Sequence, residues 1–181
     1  MKRAVVVVLL AAVAAGGCRK KPPVNGNLNA ANKVAVRLVR LYFESPGMLL
    51  VSEGRNIPLP ESPAAAMPVV VRELMKGPVA PNGASLRLFP ADTVVRGTYL
   101  LPGGTVVVDL GGTTLSQGWG TGSHQELMAV YSLVQTLTAN FADARRVRIL
   151  VNGSPSETLA GHVSLSRSLV PLQTLVDPRA R

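Results

Sequence analysis

The sequence predicts an α+β fold: a small mixed or antiparallel sheet with two main helices packed on one face. Three observations predict it. Aliphatic and β-branched runs of strand length recur along the chain. Only two stretches, residues 62–76 and 123–141, repeat apolar residues at helical spacing. The order reads strand, hairpin, helix, strand, hairpin, helix, strand, which suits helices laid on one side of a sheet and not a doubly wound nucleotide fold.

Each element has its own signal. Residues 34–43 form a long aliphatic strand ahead of a Ser45-Pro46-Gly47 turn. Residues 48–51 and 55–59 read as a hairpin about Ser52-Glu53-Gly54. In the first helix Val70, Val71, Leu74 and Met75 recur at helical spacing. Pro63 or Pro68 can occupy its first turn, where a missing N–H costs nothing. Gly77-Pro78 stops it. Residues 85–89 read as a short strand. Residues 93–101 and 105–110 form a hairpin about Pro102-Gly103-Gly104. Residues 111–122 are a glycine-rich loop. The second helix starts with Ser123 and Glu126 as a capping box, and Leu127, Val130, Tyr131, Val134, Leu137 and Thr138 mark its apolar stripe. Residues 147–151 form a strand that turns at Asn152-Gly153. Residues 159–176 have mixed character, with a helix or loop near 169–176.

The N-terminus bears on compartment. Lys2 and Arg3 precede an Ala, Val and Leu run over residues 4–15, then Gly16, Gly17 and Cys18. Charge, apolar stretch and small residues read as a signal peptide; a mature transmembrane helix wants about 20 apolar residues. Ala15-Gly16-Gly17-Cys18 resembles a bacterial lipobox, with Ala15 where Leu is usual. Cys18, the only cysteine in the chain, is the lipidation candidate. Arg19, Lys20 and Lys21 would then lie against lipid headgroups. This predicts export and membrane anchoring at the cell envelope, on the outer membrane facing the periplasm if the cell has two membranes. Residues 1–17 are the leader, 18–33 a Pro- and Asn-rich tether, 34–176 one domain and 177–181 a tail.

Composition narrows the function classes. The chain has 181 residues, 47% hydrophobic and 4% aromatic, with net charge +9. One cysteine excludes an internal disulfide. With two histidines beside it, a protein-built zinc site is not expected, and neither metal nor cofactor is. Basic charge can meet an anionic membrane or polymer. The Arg145, Arg146 and Arg148 cluster lacks the interleaved aromatics of a nucleic-acid surface, so no nucleic-acid partner is expected. Ser123, His124 and Glu126 are the nearest thing to a catalytic set, yet neighbouring residues at a helix start point in divergent directions. No G-x-S-x-G elbow is present. Gly118-Trp119-Gly120-Thr121-Gly122 precedes a helix start but lacks the residues of a phosphate-binding loop.

Several motifs fall in one order along the chain: Leu41-Tyr42-Phe43, Leu49-Leu50-Val51 with Arg55, Leu74-Met75-Lys76-Gly77-Pro78, Phe89-Pro90, and Val106-Val107-Val108-Asp109-Leu110. They continue with Glu126, Val134-Gln135-Thr136-Leu137-Thr138, the run from Val147 to Gly153, Gly161-His162 and Leu165-Ser166. Together they resemble the GerMN domain family of spore germination and sporulation lipoproteins. The likeness spans about residues 36–172. It implies a non-enzymatic interaction module with a fold like the ring-building motifs of secretion-type assemblies, here in one copy where the sporulation protein carries two. The sequence therefore predicts an envelope lipoprotein whose domain binds a protein or cell-wall partner. An envelope hydrolase acting on peptidoglycan or an ester, and a small-ligand carrier, stay open as alternatives, as does self-association. Asp109, Trp119, Glu126 and Gln135 are the candidate binding residues, where loop and helix start are expected to converge.

Overall fold

A computed structural model describes residues 34–79 and 87–180. Cys18, the leader and the tether lie outside the described residues. The architecture is α+β, as predicted. Strands β1 (Val34–Glu44) and β2 (Leu50–Pro60) form a two-stranded antiparallel sheet. Strands β3 (Val94–Leu101), β4 (Thr105–Gly111), β5 (Arg146–Val151) and β6 (Ser154–Pro155) form a mixed sheet in that order, with β4 and β5 parallel. Helices α1 (Pro63–Met75), α2 (Thr113–Gln117) and α3 (Ser123–Asn140) complete the set. Parallel neighbours need a crossover, and α2 and α3 lie in the one between β4 and β5.

Four sequence expectations are corrected. Residues 48–59 are not a hairpin: β2 runs unbroken and pairs with β1 along its whole length, Gly54 opposite Arg40. Gly54 reads as a turn residue, yet a Cβ there would meet Leu38 Cδ1 at 3.2 Å, so the cross-strand leucine takes that space. The chain reverses earlier. Met48 adopts φ 58° and the Ser45 amide donates to Leu49 O at 2.9 Å. Second, Arg87 to Phe89 form no strand; Leu88 and Phe89 are buried where the chain enters β3, and Ser85 lies outside the described residues. Third, the loop at 111–122 contains α2, whose Thr114 amide is capped by Asp92 Oδ2 at 2.9 Å. That bond holds the Asp92 carboxyl below the usual carboxylate range. Fourth, α3 is buried nearly all round, which marks a core helix: Met128, Ala129 and Leu133 are enclosed beside Val130, Val134 and Leu137.

Other signals act as read. Pro63 holds the first turn of α1, and Gly77 (φ 84°) closes it, its amide donating to Leu74 O at 3.0 Å. Gly104 combines φ 80° with a site where a Cβ would meet Asp143 O at 2.7 Å. Its carbonyl accepts both the Arg145 and Arg146 amides. Asn152 and Gly153 take φ 51° and 80°, the pair of positive angles that a two-residue hairpin turn demands.

Polar side chains of α3 close an edge of β1. Unpaired strand edges invite stray pairing. Ser132 Oγ donates to Tyr42 O at 2.5 Å, and the Tyr42 amide donates to Thr136 Oγ1 at 3.1 Å. The Arg40 amide donates to Asn140 Oδ1 at 2.9 Å, while Asn140 Nδ2 donates to Arg40 O at 2.7 Å. The spacing explains the fit. Two residues along a strand advance about 6.8 Å and four along a helix about 6 Å, so residues 132, 136 and 140 track residues 42 and 40 like a substitute strand. Thr136→Val keeps shape and helix propensity but orphans the buried Tyr42 amide, which should cost about 1–3 kcal/mol. Urea denaturation checks this against Thr138→Val, where the lost hydroxyl bonds only within its own helix. Equal losses in the two variants would refute the edge role.

Candidate functional site

Glu126 is fully buried, and its carboxylate gathers one loop. Oε1 accepts the Leu159 and Ala160 amides, each at 2.8 Å. Oε2 accepts the His162 amide at 2.7 Å and the Val163 amide at 3.2 Å. The expected capping box is therefore not formed. Gly122 is the N-cap and Ser123 the first helical residue, with no side-chain cap bond. Four loop amides offer the carboxylate far more than one helix-start amide would.

The loop leans on the helix-start connection. Thr158 Oγ1 accepts the Gly161 amide at 2.9 Å, and His162 Nε2 lies 3.2 Å from Thr121 O. A groove of about 390 Å³ opens between Leu115, Trp119 and Thr158–Gly161. A second of about 350 Å³ is lined by Ser123, His124, Leu127, His162 and Val163.

The four candidate residues keep different company. Glu126 and Trp119 flank the 158–163 loop; Trp119 stacks on Phe89 with ring centroids 6.3 Å apart. Asp109 accepts the Gly153 amide at 2.8 Å and Arg96 Nε at 3.1 Å, tying the β5–β6 turn to the bulge in β3. Gln135 sits nine residues past Glu126 on α3, about 13 Å along the axis. It is buried, and its Nε2 has no hydrogen-bond partner. Ser123, His124 and Glu126 are not wired as a catalytic triad. His124 Nε2 meets Glu44 Oε1 at 2.6 Å, and Glu126 is spent on the loop.

Sequence reasoning missed the role of Arg55. The side chain is 8% exposed and bonds Glu53 Oε1 at 2.6 Å, Glu73 Oε1 at 3.0 Å and Gly77 O at 2.6 Å. Its guanidinium lies 5.4 Å from the Phe43 ring centroid. It also missed a cleft of about 470 Å³ between α1 and β3. Among the described residues no helix is long and apolar enough to cross a membrane.

A family model described as Germane, sporulation and spore germination, matches residues 40–157. The chain belongs to this family. The match takes in most of the germane domain from mid-β1 to β6, and the loop held by Glu126 follows it directly. Three solved structures are similar in fold. The first GerMN domain of the sporulation protein GerM from Bacillus subtilis is 21% identical, with TM-score 0.52, covering 79% of this chain and 98% of that one. The tandem GerMN domains of the same protein give 21% identity and TM-score 0.55, over 76% of this chain and 46% of that one. This chain thus spans about half of the tandem structure. A candidate lipoprotein from Clostridium perfringens is 14% identical, with TM-score 0.53, covering 76% of this chain and 87% of that one. No curated protein sequence matches. The GerMN resemblance read from the motifs is borne out by the family match and these neighbours.

Proposed function

We propose that this chain is an exported envelope lipoprotein, held to the membrane by lipid on Cys18, whose germane domain is a non-catalytic adaptor for a protein partner. The observation that carries the reading is a contrast on the surface. The side chains that could have done chemistry are engaged in the scaffold: Glu126 with its loop, His124 with Glu44, Asp109 with a turn. The outer face of the β1–β2 hairpin is instead apolar and open. Val34, Val36 and Leu38 are 57%, 70% and 66% exposed, on one side of β1, with Pro58 and Pro60 opposite Val36 and Val34. A contiguous exposed apolar stripe of this kind marks an interaction surface. It begins at Val34, the first residue after the tether that the sequence predicts.

Two measurements test the reading. Mass spectrometry of the membrane fraction should find Cys18 acylated, and Cys18→Ser should move the protein to the soluble fraction. A photocrosslinker at Val36 should yield one reproducible protein adduct that Leu38→Lys abolishes without lowering the unfolding midpoint. Adducts to peptidoglycan alone would replace the protein partner with the wall, and no adduct at all would defeat the adaptor reading.

A further inference from the structure

The cleft between α1 and β3 carries a charge imbalance that the fold does not resolve. Arg72 on α1, Lys76 at its C-cap and Arg87 ahead of β3 line it, together with Met75 and Val94. Lys76 is matched by Glu73, Nζ to Oε2 at 2.6 Å, but Glu73 already serves Arg55. Among the described residues Arg87 gives a single side-chain hydrogen bond, to Lys76 O at 3.0 Å, and neither Arg87 nor Arg72 has a carboxylate partner. Asp92, the acid nearest Arg87 in sequence, is turned to the α2 amide.

We propose that this cleft binds a small amphipathic anion, a phosphate or carboxylate head attached to a short apolar portion. The planar, always-charged guanidinium groups suit bidentate recognition of such a head. Met75 and Val94 take the apolar part. Pockets of a few hundred cubic ångströms with a few placed polar groups are the usual form of small-ligand sites. The site is separate from the hairpin stripe, and neither reading depends on the other.

Titration of the full chain with octyl phosphate, below its micelle concentration, tests this. Backbone amide shifts at residues 93–95 should saturate, with tighter binding than inorganic phosphate or neutral octyl glucoside. The Arg72→Gln, Arg87→Gln double variant should lose tenfold or more in affinity. Arg72→Gln alone should weaken binding several-fold with its unfolding midpoint unchanged; this separates ligand contact from fold damage. Phosphatidylglycerol vesicles that displace octyl phosphate identify a lipid headgroup as the source, and vesicles that do not displace it point to a free metabolite. Equal affinity for octyl glucoside, unchanged affinity in the double variant, or shifts confined to another surface would overturn the proposal.

Discussion

Glu126→Ala should be among the most damaging single substitutions in this domain, lowering stability by about 3–5 kcal/mol. The estimate follows from what is left behind. Four loop amides lose a charged acceptor. Hydrogen bonds to charged groups contribute about 1.5–3 kcal/mol each, and a buried donor without a partner costs about 1–3 kcal/mol. Full additivity would exceed the total stability of an ordinary domain, about 5–15 kcal/mol, so relaxation of the loop and entry of water must return part of it. Removing the side chain also opens a cavity beside Leu159 and α3.

The distribution of the damage is as diagnostic as its size. The 158–163 loop packs through Leu159, and Leu165 anchors the following segment. Hydrogen exchange in Glu126→Ala should lose protection first at residues 159–163, with β4 and β5 following only at the global limit. Glu126→Gln should fall between, because one amide oxygen can still accept while its NH₂ faces two amides that also donate. Urea denaturation supplies the free energies. A loss below about 0.5 kcal/mol in Glu126→Ala, the scale of an ordinary surface substitution, would mean that the carboxylate does not organise this loop.

What the sequence reveals depends on how far each residue's partner lies along the chain. Turns are local, so Gly77, Gly103-Gly104 and Asn152-Gly153 announce element ends correctly. The Ser52-Glu53-Gly54 reading fails because the deciding neighbour, Leu38, is across a strand and not next in line. The same distance hides the fate of Glu126, whose donors lie 33–37 residues away. A local pattern, Ser-x-x-Glu, offered a cheaper explanation that the fold does not adopt. One long-range feature was legible in principle. Ser132, Thr136 and Asn140 repeat every four residues on a helix otherwise rich in apolar side chains, and a polar line on a buried helix needs a polar surface to meet. The anion cleft is the least legible, since Arg72 and Arg87 come from a helix and the approach to a later strand, and neither has a distinctive neighbour in sequence.

Arg55→Met should cost about 3 kcal/mol at neutral pH, with a pH dependence that identifies the cause. The side chain joins β2 to the end of α1 through Glu53, Glu73 and the Gly77 carbonyl. Removing one partner of a buried ion pair typically costs about 3–5 kcal/mol; partial exposure of Glu53 and Glu73 places this one at the low end. Burial alone would raise the Glu73 pKa, but hydrogen bonds and charge from Lys76 and Arg55 outweigh it and hold the carboxyl below its ordinary value. A carboxyl with a depressed folded pKa stabilises the fold above its unfolded value, near about 4.3, and that stability is lost as pH falls through the lower folded value. The gap between wild type and Arg55→Met should therefore be widest from pH 5 to 7 and narrow as the pH is lowered toward 3. It should not close, because the Gly77 bond and the Phe43 contact do not titrate. Methionine retains an unbranched apolar side chain at this buried position, so the readout is the lost charge and not a cavity. A gap that stays constant across this range would assign the loss to packing and remove Glu73 from the account.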